Sequence, residues 1–161
     1  MSPQAIAIQL RDIELLFEQL YIECTRLFPL YSNDFAQLAL EEREHADALE
    51  QIIDLIVKEP NCCRCGAMTS ETIGLIAYDV KSLLKEVRAG KGAPRYVLTR
   101  LRGFEQTMIE RSIDRILVFN NENCIPLITK VKDGFDNHLA FLQQLETMIF
   151  PKSDKEKLFE I

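Results

Sequence analysis

The chain has 161 residues, 47% of them apolar and 27% charged, a balance that supports a folded domain and argues against disorder. Its net charge of −6, from 25 acidic and 19 basic residues, disfavours a nucleic-acid or anionic-membrane surface, because either wants clustered Lys and Arg. No apolar run approaches the roughly 20 residues that cross a bilayer, and Met1-Ser2-Pro3-Gln4 lacks the plan of a signal peptide. A cytoplasmic protein with no membrane or nucleic-acid partner is expected.

Apolar periodicity predicts long helices separated by Pro29, Pro60, the Gly90-to-Pro94 break and Pro126. The first helix is predicted over about Pro3 to Phe28, with the stripe Ile6, Leu10, Ile13, Phe17, Leu20, Tyr21, Cys24, Leu27 and Phe28. A second begins after Ser32 or Asn33, either able to cap it, and stops near Pro60. A thiol-rich loop follows, then a shorter helix over about Ser70 to Ala89. A third long helix is predicted from about Pro94 to about Phe119, and a fourth from about Ile125 to Ile149. No segment reads convincingly as a strand. The chain is expected to be one all-α domain over 1–161, with a crossover over 59–93 that holds the Cys-rich loop and the short helix.

Polar residues interrupt the stripes at mid-helix depth. The inward series of the second helix is Phe35, Leu38, Glu42, His45, Leu49, Ile52, Ile56. In the fourth it is Ile128, Val131, Phe135, His138, Leu142, Leu145, and in the third Leu98, Leu101, Glu105, Met108, Ser112, Ile116. In the first, Glu14 lies between Leu10 and Phe17. A buried ionised Glu costs several kcal/mol unless it is paired or binds a metal. Any one of these residues could reach solvent, or be a core group satisfied by a neighbour. Together, Glu14, Glu42, His45, Glu105 and His138 place a candidate metal ligand on each of four helices. Oxygen and nitrogen donors suit Fe(II), Mn(II) or Zn(II).

The segment Leu40-Glu41-Glu42-Arg43-Glu44-His45-Ala46-Asp47-Ala48-Leu49 resembles the second helix of the rubrerythrin and ferritin group. Phe28-Pro29, Phe35 and Leu38-to-Glu42, with Glu14 and Tyr21 seven residues apart, extend the resemblance to about residues 5–149. It implies a ferritin-like four-helix bundle with a long middle crossover. It further implies two metal ions, usually iron, held by a Glu from one helix and a Glu-x-x-His from the next in each half. Carried over by position, Glu14 and His45 serve the first ion, Glu42 bridges, and Glu105 and His138 serve the second. The second Glu-x-x-His is incomplete, because the position three before His138 is Phe135. Water, Glu110 or Asp136 are the compensating donors there, or the site holds one ion; Asp133 is near but off the spacing. Glu18, one turn after Glu14, is an alternative ligand.

Cys62-Cys63-Arg64-Cys65 contains one Cys-x-x-Cys step, whereas a rubredoxin-type iron centre needs two. The loop reads as a half-site completed across a dimer, as a redox dithiol, or as exposed reactive thiols. Cys24 is expected to pack as a small apolar residue. The functional expectation is a di-iron oxidoreductase of ferroxidase or peroxidase type, with oxygen or peroxide as oxidant, in a homodimer or small homo-oligomer. The alternative is a non-catalytic ferritin-like interaction module with an altered or structural metal site. Haemerythrin-like oxygen carriage needs more histidine ligands than the two present.

Overall fold

In a computed structural model of the chain, residues 2–67, 69–110 and 116–151 are described, with the side chains of all but 108–110 and 133–136. The apolar stripes fold largely where their periods place them. Helix α1 spans Pro3–Leu27; Ser2 accepts the Ala5 N–H at 3.2 Å as N-cap, and Pro3 occupies the first turn, where no intrahelical donor is needed. A 3-10 turn over Pro29–Tyr31 leads directly into α2, Ser32–Lys58. The expected Ser32 or Asn33 cap is not made: the N-cap position falls on Tyr31, which supplies no side-chain acceptor, because the turn passes its curvature straight to the helix.

Helix α3, Ser70–Arg88, is capped by Thr69, which accepts the Thr72 N–H at 3.3 Å. It ends in a Schellman arrangement, with Lys91 N–H on the Glu86 carbonyl, Gly90 N–H on the Val87 carbonyl, and Gly90 at φ +68°. Helix α4 spans Pro94–Glu110, and α5 spans Ile125–Ile149.

The third long helix does not continue to Phe119. Its described part stops at Glu110, and Leu117–Phe119 forms a strand, β2, antiparallel to β1 over Cys63–Cys65. Cys63 pairs with Phe119, Arg64 with Val118 and Cys65 with Leu117. The pairing extends outward through Gly66 N–H to the Ile116 carbonyl and Asn120 N–H to the Cys62 carbonyl, both at 2.7 Å. Three apolar residues carry no period of their own, and tertiary pairing decides their state.

Polar contacts fix the helix directions. Arg11 meets Glu50 and Glu18 meets Arg43, each at 2.6 Å, so α1 and α2 are antiparallel. Ser70 meets Gln9 at 3.0 Å and Arg88 meets Glu23 at 3.1 Å, so α3 runs parallel to α1. Arg102 meets Glu146 at 2.7 Å and Glu105 lies 3.5 Å from His138, so α4 and α5 are antiparallel. Helix α3 therefore carries the chain back along the molecule between two helical hairpins, α1–α2 and α4–α5. The hairpins meet through α2 and α5.

The core is the set of predicted stripes, including Leu10, Ile13, Phe17, Phe35, Leu49, Ile52, Leu98, Leu101, Val131 and Leu142, with Leu83 and Val80 from α3. Burying each large side chain contributes roughly 1.5–3 kcal/mol, so this core is the main source of stability. Among the described residues no helix is long and apolar enough to cross a membrane.

Candidate metal centre

Within this apolar core, the buried polar or charged residues among the described side chains are Glu14, Glu42, His45, Glu105 and His138, none more than 3% exposed. These are the five residues that the interrupted stripes single out. Helix α1 supplies Glu14, α2 supplies Glu42 and His45 one turn apart, α4 supplies Glu105 and α5 supplies His138. They form two groups, Glu14–Glu42–His45 and Glu42–Glu105–His138. In each group one ligand atom per residue lies within 4.8 Å of the others.

Glu42 is common to both, and its two oxygens divide between them. Oε2 is 3.1 Å from Nδ1 of His45, and Oε1 is 3.1 Å from Nδ1 of His138. Glu14 Oε2 lies 3.9 Å from Nδ1 of His45, and Glu105 Oε1 lies 3.5 Å from Nδ1 of His138. The imidazole centroids are 5.5 Å apart. Glu14 Oε2, Glu42 Oε1 and His138 Nδ1 have no aligned hydrogen-bond partner although all are buried. Such orphaned atoms cost about 1–3 kcal/mol each, and more when charged. Oxygen and nitrogen donors only, crowded around a shared carboxylate, fit a divalent cation once their protons have gone.

The electrostatics of the metal-free cluster follow from the same crowding. Burial, then the charge of Glu42, pushes the Glu14 carboxyl well above its ordinary range. Burial also raises Glu42, although His138 opposes it. Burial depresses His45, which favours the neutral imidazole. His138 behaves oppositely: burial pulls it down, but Glu105 and Glu42 overcome that and push it up to about 11.

Two further residues shape the site. Glu41, half-buried at the rim, places Oε2 at 2.9 Å from His138 Nε2, the ring nitrogen turned away from the cluster. A carboxylate on the outer nitrogen fixes the imidazole's orientation and tautomer. The sequence shows Glu41 beside Glu42 but gives no sign of this role, because the partner ring is 97 residues away on another helix. Tyr21 donates its hydroxyl to Glu105 Oε1, and its ring meets that of His138 edge-on at 6.1 Å. Burial and the neighbouring carboxylates keep this phenol protonated.

Glu18, the alternative ligand, is not in the cluster: it pairs with Arg43 on the surface of the α1–α2 hairpin. Phe135, Asp133, Asp136, Met108 and Glu110 lie outside the described side chains, and Ser112 lies outside the described residues.

The thiols are not an exposed reactive loop. Cys62, Cys63 and Cys124 are buried and Cys65 is half-buried. Burial, with Cys62 alongside, pushes Cys63 up to about 12 and Cys124 up to about 11. Cys24 packs in the core, as expected, and burial pushes it up to about 12.

No protein-family model, curated protein or solved structure matches this chain.

Proposed function

We propose that this chain is a ferritin-like metal protein that binds two divalent ions in its core and oxidises Fe(II) with oxygen or peroxide. The observation that carries the reading is the division of Glu42, one oxygen to the His45 group and the other to the His138 group. Glu14, Glu42 and His45 would hold one ion, and Glu42, Glu105 and His138 the other. When bound, redox-active iron supplies the electrons that reduce the oxidant. The protein's own part is to arrange and desolvate. The four helices exclude water, so each carboxylate acts in a medium where charge interactions are strong. Glu41 holds the His138 ring through Nε2–H, which leaves Nδ1 as the coordinating atom once its proton has gone. Tyr21 holds one oxygen of Glu105 and so restricts which oxygen faces the cluster.

A second reading is favoured by the carboxylates Glu41, Glu42 and Glu105 around a single histidine. A protonated His138 among them forms an ion-pair network, which would make the chain a non-catalytic bundle with a structural ion or none. Anaerobic Fe(II) titration followed by air or peroxide separates the two. The redox reading expects Fe(II) uptake followed by the rise of Fe(III) absorption, both lost in Glu42→Ala. Uptake without oxidation supports the structural reading, and wild-type uptake no greater than that of Glu42→Ala refutes the metal site.

A further inference from the structure

Helices α3 and α4, joined through the break at Gly90, leave a cleft of about 430 Å³ between them. Ile76 and Phe104, each 8% exposed, are the apolar part of its lining, and the two helices bring opposite charges to it, Asp79 from α3 and Arg100 from α4. Leu75, which also lines the cleft, is 66% exposed, and Tyr78, one turn further along α3, is 70% exposed. We infer that this cleft is where two copies of the chain meet in a two-fold symmetric dimer.

The charges in the cleft are not satisfied within the chain. Elsewhere, pairs between helices are closed, as in Arg11 with Glu50 and Arg88 with Glu23. Asp79 and Arg100 form no ion pair with each other or with any other of the described residues. The guanidinium is nonetheless held in place. Its carbon lies 5.1 Å from the centroid of the Phe104 ring and 5.9 Å from that of Tyr96, and Nη1 donates to the Tyr96 hydroxyl at 3.4 Å. An arginine stacked on two rings loses little further freedom when a carboxylate meets its fork.

A two-fold contact uses one patch twice, so a residue that meets a second residue of the other copy is matched by the reverse meeting. A patch with an unpaired anion on one helix and an unpaired cation on the next is complementary to itself. With the axis along the cleft, α3 of each copy lies over α4 of the other. Asp79 of each copy then reaches Arg100 of the other, and Leu75 and Tyr78 cover the apolar lining between them. An anionic ligand in the cleft would face Asp79 and a cationic one Arg100, whereas a second copy satisfies both. Exposed tyrosine and arginine around an apolar centre are also the composition of interface cores.

The test is sedimentation equilibrium of the full chain, with helix content by circular dichroism to show that each variant is folded. The wild type should fit a reversible monomer–dimer equilibrium. Asp79→Arg and Arg100→Asp should each weaken association at least about 100-fold, because symmetry turns two attractions into two repulsions. Mixing the two variants should restore a dimer of one chain of each, since one contact then keeps both native charges and the other carries both reversed ones. Gly103 lines the cleft, and a Cβ added there meets no atom of the chain within 4 Å. Gly103→Gln should therefore keep its helix content and associate at least about 10-fold more weakly, because the added side chain spoils the fit. Leu30→Ser, at a separate residue that is 90% exposed, should associate as wild type. A monomeric wild type would overturn the inference and leave the cleft to a small ligand or another protein. Association that persists in both charge variants, that their mixture fails to restore, or that Leu30→Ser abolishes, would overturn it too.

Discussion

Single side chains in this core work against stability before they can serve a function. Glu14 is held well above the usual carboxylate range and has an unpartnered oxygen. Glu14→Gln keeps the shape and donates to Glu42 without needing a bound proton, so at alkaline pH, where Glu14 itself must ionise, the metal-free protein should gain about 1–3 kcal/mol in chemical denaturation while losing the ion of its cluster. Equal or lower stability would contradict this.

Protons compete with metal in the same pocket. In the metal-free state His138, pushed up to about 11, holds its proton at neutral pH, the raised Glu14 keeps its proton to higher pH than an ordinary carboxyl, and the depressed His45 loses its own at lower pH than an ordinary imidazole. A raised group binds its proton more tightly in the folded than in the unfolded chain, so both shifts make the metal-free fold less stable as pH rises. Metal binding must displace these protons, so affinity should increase with pH, and calorimetry in buffers of different ionisation enthalpy should detect proton release at pH 7. Glu41→Gln should weaken the His138-side ion by roughly 10–100-fold and leave the other ion unaffected, as read by competition with a chromogenic chelator. Glu42 and His45 were legible in the sequence because a three-residue step on an apolar stripe fixes their face. Glu41 was not, since its partner comes from another helix.

Among the elements, the helices follow from period and punctuation, and the differences lie where tertiary contacts choose. Gly90 at φ +68° closes α3, and Gly90→Ala should cost about 1 kcal/mol because a side chain disfavours that conformation. Thr69→Ala should cost a similar ~1 kcal/mol through loss of the N-cap acceptor. Both are readable as a lower melting temperature, and neither change should alter metal stoichiometry. Ribbon β1–β2 was not legible: Leu117, Val118 and Phe119 continue an apolar run that suits a helix end as well as a strand, and only Cys63 to Cys65 in register reveals the difference. For the same reason Cys124 carries no signal in the sequence, although the turn that follows β2 buries it.

For the whole molecule, two helical hairpins share one polar centre, with α3 as the connection between them. The mostly helical character and the inward faces could be read from the apolar stripes, because a helix 25 residues long, such as α1 or α5, repeats its period enough times to fix its phase. The meeting of Glu14, Glu42, His45, Glu105 and His138 was anticipated from their mid-helix depth. The sharing of Glu42 as two separate oxygens required the packed structure. The most direct measurement is metal content per chain by elemental mass spectrometry after anaerobic Fe(II) loading of wild type, Glu14→Ala, Glu105→Ala and Glu42→Ala. A dinuclear centre gives two ions in the wild type, one in each of the Glu14 and Glu105 variants, and none in Glu42→Ala. Iron in the wild type no higher than in Glu42→Ala would contradict it, leaving the buried carboxylates as an ion-pair network around His138.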